Sequence, residues 1–124
     1  MSFLSLLRHR KDLVEYEPGD VIYSKGEPAD VLYVIVAGEV ELSVHDRSLG
    51  VEGEGSIIGE MALLESAIRN STATARSGVK LARLDRTQFK KLIGEHADFA
   101  LRAMTVLANR LRAVDQLIIA KLDS

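Results

Sequence analysis

The sequence predicts a mainly β fold with flanking helices (α+β), built as a sandwich, a roll or a barrel. Three observations carry that prediction. Between residues 12 and 85, short apolar or alternating runs recur with turn residues about every eight to twelve positions. One of these runs, Val31-Leu32-Tyr33-Val34-Ile35-Val36-Ala37, is unbroken and rich in β-branched side chains, so it reads as a strand buried on both faces. From Arg86 onward there is no proline, Gly94 is the only glycine, and the apolar spacing becomes helical. The 124 residues suffice for one domain, 1–124, with the β portion at about 12–85 and C-terminal helices at about 86–122. A chain of this length buries roughly two-thirds of its unfolded surface.

Residues 3 to 10 read as a short amphipathic N-terminal helix. The stretch from Met1 to Leu7 lacks a basic n-region and is stopped by Arg8-His9-Arg10-Lys11, so it is read as a short helix and not as a signal peptide. Leu13, Val14 and Tyr16 suit a short strand. Pro18-Gly19-Asp20 is a turn, because proline presets φ and glycine permits the reversal. Val21-Ile22-Tyr23 is strand-like, and Gly26-Glu27-Pro28 is a second turn. After the long apolar run, Gly38 is expected to join it to a half-exposed strand in which Val40, Leu42 and Val44 alternate with Glu41, Ser43 and His45. The two together read as an antiparallel hairpin. Asp46 to Glu54 reads as a polar excursion around Leu49 and Val51. Ile57 and Ile58 are strand-like and lead into Gly59, and residues 71–75 and 79–84 flank a turn at Ser77-Gly78.

Thr87 to Ile93 reads as a helix with Asp85 as its N-cap, interrupted at Gly94-Glu95-His96. A long helix follows from about Asp98 to Leu122. Its Met104, Leu107, Leu111, Val114 and Ile118 are spaced 3-4-3-4, the seam of a two-helix coiled coil. A second apolar set comprises Phe99, Leu101, Ala108 and Leu117. One set is expected to pack on the β portion and the other on a second copy of the chain, giving a homodimer.

Composition narrows the classes of function. A net charge of −2 argues against nucleic-acid binding by this chain. No cysteine is present, so there is no disulfide or thiolate metal site, which fits a reducing, cytoplasmic setting. No run approaches the roughly 18 apolar residues of a membrane span. His9, His45 and His96 stand far apart, so a metalloenzyme on a similar roll is disfavoured; no metal or cofactor is expected, and the chain is read as no enzyme.

The chemistry concentrates in Gly59-Glu60-Met61-Ala62-Leu63-Leu64-Glu65 and the polar run from Arg69 to Thr74. Gly59 lets backbone approach a ligand closely or take a positive φ. Met61 to Leu64 favour helix, whose first amides lack internal partners and attract an anion. Arg69, ten positions after the glycine, can return a planar, permanently charged fork to the same point. Glu60 is unsuited to phosphate and suited to accepting sugar hydroxyls. Together these parts suit a small phosphate diester carrying a sugar. The competing reading is a loop entering a helix beside a surface arginine.

Two stretches resemble the cyclic nucleotide-binding domain family, which includes the catabolite activator protein, the regulatory subunits of cAMP-dependent kinase and cyclic-nucleotide-gated channels. Gly26 through Val40 is similar to the family's glycine-to-glycine signature, and Gly59 to Leu64 with Arg69 to Ala75 is similar to its phosphate-binding cassette. The resemblance implies an eight-stranded β-roll (a double-stranded β-helix, jelly-roll-like) with a short N-terminal helix and two C-terminal helices. It implies that Arg69 pairs with the cyclic phosphate and Glu60 with the ribose 2′-hydroxyl. Backbone at Gly59, Ala62 and Asn70 or Ser71 completes the cradle, with Met61 and Leu63 in the cassette and Ile57 and Ile58 lining the pocket. The ligand is expected to be cAMP, with cGMP as second choice.

Asn70 stands where relatives usually carry a small residue that bears on base choice, and Glu65-Ser66-Ala67-Ile68 stands where many carry glycine or proline. Asp115 is the candidate base contact on the long helix, with Arg110 and Arg112 near it. The sequence stops at Ser124, short of the helix-turn-helix of catabolite-activator relatives, so it reads as either a free-standing sensor or an excised piece of something larger, signalling through its C-terminal helices. The alternative is a degenerate domain serving as a dimerisation or docking unit without nucleotide.

Overall fold

The computed structural model describes residues 3–64 and 66–122; the side chains of Phe3, Ala113, Val114 and Leu117 are outside the described set. The expectations for Met1-Ser2, Glu65, the Val114 and Leu117 side chains and the terminal Asp123-Ser124 therefore fall outside the described residues.

Eight strands run in chain order between a short helix α1 (Phe3–Arg8) and two helices, α2 (Arg86–Glu95) and α3 (Ala97–Leu122). The strands are β1 (Val14–Tyr16), β2 (Val21–Tyr23), β3 (Leu32–Ala37), β4 (Val40–Val44), β5 (Arg47–Glu52), β6 (Ile57–Ile58), β7 (Thr72–Ala75) and β8 (Val79–Leu84). They form two four-stranded antiparallel sheets, ordered β1-β8-β3-β6 and β2-β7-β4-β5.

β3 shows why its run is apolar throughout. Leu32, Val34 and Val36 join the core shared with Leu7, Phe99, Ala103 and Val106 of the helices. Tyr33 and Ile35 point the other way, into the core with Val40, Ala73 and Ala75 of the second sheet. With a side-chain period of two, a strand in the middle layer needs apolar residues at every position.

The expected β3–β4 hairpin is not formed. β3 pairs with β6 and β8, whereas β4 pairs with β5 and β7 in the other sheet. Gly38, at φ +93°, is the corner where the chain changes sheet, and a Cβ there would lie 2.2 Å from the Gly78 carbonyl oxygen. The hairpin is instead β4–β5, closed by His45 and Asp46 at φ +50° and +64°. Both residues of that loop take the left-handed (φ > 0) conformation of the turns preferred in hairpins, although neither is the usual asparagine or glycine. The expected polar excursion at 46–54 is thus largely strand β5. Its residues are exposed except Glu52, and Gly50 (φ +135°) lies where the register with β4 shifts, so no alternation marks it.

Gly38→Ala is expected to cost about 2–3 kcal/mol, because left-handed backbone strain adds to a backbone clash. Gly26→Ala has the same sign of φ but nothing within 4 Å of its Cβ, and should cost only about 1–2 kcal/mol. Urea midpoints of the two variants compare these terms directly.

Asp85 caps α2 as expected. Its carboxylate accepts from the Gln88 amide (2.8 Å), and the Gln88 side chain accepts from the Asp85 amide (2.9 Å). α2 continues through Gly94 to Glu95, and the break comes at His96. On α3 the buried stripe is Phe99, Ala103 and Val106. Leu101, grouped with Phe99 in the second apolar set, does not share its burial and is 63% exposed, because two residues rotate a helix by roughly 200°. Ala108 is exposed too. Of the expected seam, Met104, Leu111 and Ile118 are exposed and Leu107 is half-buried. Among the described residues no helix is long and apolar enough to cross a membrane.

Candidate functional site

The site is built where β6 ends. Gly59 takes φ +75° and turns the chain into a 3₁₀ helix of four residues, Glu60–Leu63. The loop returning to β7 is zipped onto the turn after β2. Gly26 donates to the Arg69 carbonyl (2.9 Å), Arg69 to the Glu27 carbonyl (2.7 Å) and Ala29 to the Ala67 carbonyl (3.0 Å), with Pro28 bridged to Ile68. The Gly26-Glu27-Pro28 turn thereby sets where Arg69 stands.

Arg69 is 3% exposed. Its Nη1 donates to the Gly59 carbonyl (3.1 Å) and its Nη2 to the Val31 carbonyl (2.7 Å). Its Cζ lies 4.3 Å from the Tyr23 ring centroid and 5.9 Å from that of Tyr33. The two rings are stacked, 6.2 Å apart and 14° from parallel. Among the described residues no carboxylate pairs with this guanidinium. The glycine at 59 is needed for it, since a Cβ there would meet Arg69 Nη1 at 2.7 Å. Arg69 is thus a buried cation held by carbonyl oxygens and aromatic faces, an arrangement that leaves its charge uncancelled.

Glu60 lies next to Gly59, but its carboxylate is engaged. Arg110 of α3 donates from Nη1 to Glu60 Oε2 (2.6 Å) and from Nη2 to the Ile57 carbonyl. Arg110 Nε lies 3.6 Å from Glu52 and has no hydrogen-bond partner among the described residues. Glu52 accepts from the Ser56 hydroxyl (2.7 Å), and Arg102 Nε donates to the Gly55 carbonyl (3.1 Å). Two arginines two turns apart therefore fasten α3 to the β5–β6 link. An open groove of about 320 Å³ runs beside them, lined by Leu49, Glu52, Thr105, Asn109 and Arg110 among others.

The remaining expected residues divide. Ile58 is fully buried beside Tyr23 and Tyr33 in the inter-sheet core, and Ser71 is buried. Ala62 is buried, and with partly buried Leu63 it packs on the helix-side core; Ile57 is there too. The Ala62 amide donates to the Gly59 carbonyl (3.2 Å), and Met61 is half-buried. The helix-terminus contribution expected at the cassette is correspondingly small, since four 3₁₀ residues carry little aligned dipole. Asn70 and Asp115 are exposed, and no described hydrogen bond or ion pair joins Asp115 to Glu60 or Arg69. Among the described residues, His, Asp and Glu nowhere gather in threes able to hold a metal ion.

Sequence reasoning missed Tyr23, Val31 and Glu52, and placed Arg110 only near a base contact. Tyr23 reads simply as a strand residue, and a main-chain acceptor such as Val31 has no sequence signal.

The Tyr23 hydroxyl has its titration pushed up to about 12, first because burial disfavours the phenolate and next because Glu60 is negative. Arg69, Arg110 and a hydrogen bond with Ser71 pull the other way. An unfolded tyrosine loses its proton near 10, so between about pH 10 and 12 the unfolded chain binds fewer protons than the folded one, and stability falls as pH rises. The stabilisation is complete below about pH 10, and about 2–3 kcal/mol should be lost by about pH 12. Tyr23→Phe is expected to flatten this alkaline slope in urea midpoints taken near pH 9 and near pH 11.5.

The family model described as cyclic nucleotide-binding domain matches residues 13–96. The cAMP-dependent protein kinase regulatory subunit of Aspergillus fumigatus is 36% identical over 94 residues, covering 74% of this chain and 23% of that protein. The CRP-like cAMP-activated global transcriptional regulator of Mycobacterium tuberculosis is 27% identical over 116 residues, covering 90% of this chain and 52% of that protein. The chain thus spans between about a quarter and about half the length of these curated relatives. Among solved structures, the Thermus thermophilus catabolite activator protein is similar at a TM-score of 0.71 and 30% identity, covering 90% of this chain and 55% of that one.

Proposed function

The chain belongs to the cyclic nucleotide-binding domain family, and on that premise we propose that it is a non-enzymatic receptor for a cyclic nucleotide. The proposed ligand is cAMP, ahead of cGMP. One observation supports this above the others: Arg69 is a buried guanidinium at the Gly59 carbonyl, with no carboxylate paired to it among the described residues. A buried cation of that kind is stabilised by an anion that arrives from outside. The phosphate diester goes to Arg69 and the ribose hydroxyl to Glu60, with Gly59, Asn70 and Ser71 supplying backbone.

The signal runs through α3. A sugar hydroxyl at Glu60 must share or displace Arg110, so the ligand interacts differently with α3 docked and α3 released, which is the condition for shifting a conformational balance. The exposed Met104, Leu111 and Ile118 suit a homodimer contact along the same helix. The proposed setting is cytoplasmic, with no nucleic acid or membrane as direct partner, and 1–124 acting as one domain.

Thermal-shift and calorimetric titrations with cAMP, cGMP and 5′-AMP test the reading on the wild type and on Arg69→Ala. A ligand binding only the folded state stabilises it by about 2.7 kcal/mol at a hundredfold excess over its dissociation constant. The expected result is stabilisation of the wild type by cAMP and loss of that effect in the variant. Absence of binding by every cyclic nucleotide overturns it.

That outcome favours a second reading, a docking or dimerisation unit that binds no nucleotide. The observation behind it is the Glu60–Arg110 pair, which already occupies the proposed sugar acceptor.

A further inference from the structure

We propose that Tyr23 is a positioning residue for ligand binding: its ring is the platform that holds the Arg69 guanidinium in place without cancelling its charge. The proposal rests on the receptor reading and extends it to a residue outside the cassette.

Four observations meet at this side chain. Tyr23 is 6% exposed, and the Arg69 guanidinium carbon sits 4.3 Å from its ring centroid. The ring leans on Tyr33, nearly parallel at 6.2 Å, so it has a backing. Its backbone is paired opposite Ala73 of β7, two residues beyond buried Ser71, so the platform and the cassette's return strand share one ladder. A Cβ at Gly59 would come within 3.5 Å of the Tyr23 ring and 2.7 Å of Arg69 Nη1, so the glycine that opens the cassette makes room for this stack.

The physical reason concerns charge. A buried arginine needs stabilisation, and a carboxylate is the usual source. A carboxylate would also neutralise the cation and compete with an incoming phosphate diester. An aromatic face attracts the guanidinium through its quadrupole and carries no net charge. The two carbonyl bonds fix the Nη atoms, and the ring fixes the plane. An aliphatic side chain at 23 would fill the same strand and core position and supply no such platform.

The test uses the full chain with Tyr23→Phe and Tyr23→Leu, each alone and combined with Arg69→Gln. Three readings are taken: the ligand-free melting temperature, the dissociation constant for cAMP, and the Arg69 side-chain N–H resonance. Tyr23→Phe keeps the ring and should bind within about twofold of the wild type, with the resonance retained. Tyr23→Leu should remain folded, move that resonance before any ligand is added, and weaken cAMP binding about 5- to 30-fold, the range corresponding to a desolvated cation–π contact. In the Arg69→Gln background, with residual affinity measured by competition at high cAMP, Tyr23→Leu should change binding less than about twofold, because the two residues act as a unit. A merely structural role would lower binding equally in both backgrounds and would leave Tyr23→Phe intermediate; either result overturns the proposal. Wild-type binding with an unaffected Tyr23→Leu overturns this proposal alone. No binding by the wild type overturns the receptor reading and this proposal with it.

Discussion

Replacing Arg69 by methionine is expected to weaken cyclic nucleotide binding by a factor of about 150 to 4,000 while leaving the ligand-free protein at least as stable as the wild type. The first effect follows from burial. Removing one partner of a buried, hydrogen-bonded charge pair costs about 3–5 kcal/mol, which is that factor in affinity. The second effect follows from what the arginine lacks. At 3% exposure its charge is compensated by two carbonyl oxygens and two rings, with no paired carboxylate among the described residues. Buried charges replaced by apolar groups of similar volume are often neutral or stabilising changes. The Gly59 carbonyl keeps its bond from the Ala62 amide, so only Val31 is left with an acceptor to satisfy. Urea unfolding without ligand and calorimetry with cAMP separate the two effects. A methionine variant that binds within tenfold of the wild type would sink the assignment of Arg69 to the phosphate.

Phe99→Ala is expected to be the most damaging substitution for the fold, at about 3–5 kcal/mol. Phe99 is 0% exposed and meets Phe89 of α2 edge-on, with centroids 5.6 Å apart and planes at 70°. It shares a core with Leu32, Val34 and Val36 of the central strand. Its loss leaves a cavity where α2, α3 and the sheet meet, and a typical domain has only about 5–15 kcal/mol in total. Because α3 also carries Arg102 and Arg110 to the β5–β6 link, the variant should lose ligand response along with stability. Leu101→Ala, two residues away and 63% exposed, should stay within about 0.5 kcal/mol. Equal midpoints for the two variants would show that α3 is not anchored through Phe99.

Much of the architecture was legible from local rules. β3 announced itself because a strand covered on both faces has no polar positions. Asp85 with Gln88 announced the start of α2 because its orphan amides need side-chain acceptors. Gly59, Glu60 and Arg69 stood out because their residue types suit a sugar phosphate, and the fold brings Gly59 and Arg69 into contact. The failures were pairings. The role of Gly38 as a corner and not a hairpin turn depends on Gly78, forty residues away. β5 left little trace because its residues are largely exposed, and an edge strand in water needs no alternation.

The sequence by itself determined the strand-rich body, the helical C-terminal part, the cap of α2 and the residues whose chemistry suits a sugar-bearing phosphate diester. These follow from periodicity, backbone preference and side-chain chemistry, which act over a few residues. Only the tertiary structure decided which strands share a sheet, which face of α3 is buried, that Tyr23 and Tyr33 underlie Arg69, and that Arg110 reaches back fifty residues to Glu60. Such contacts depend on how layers stack, and stacking is set by the summed burial of many side chains and by main-chain acceptors that leave no mark in the sequence.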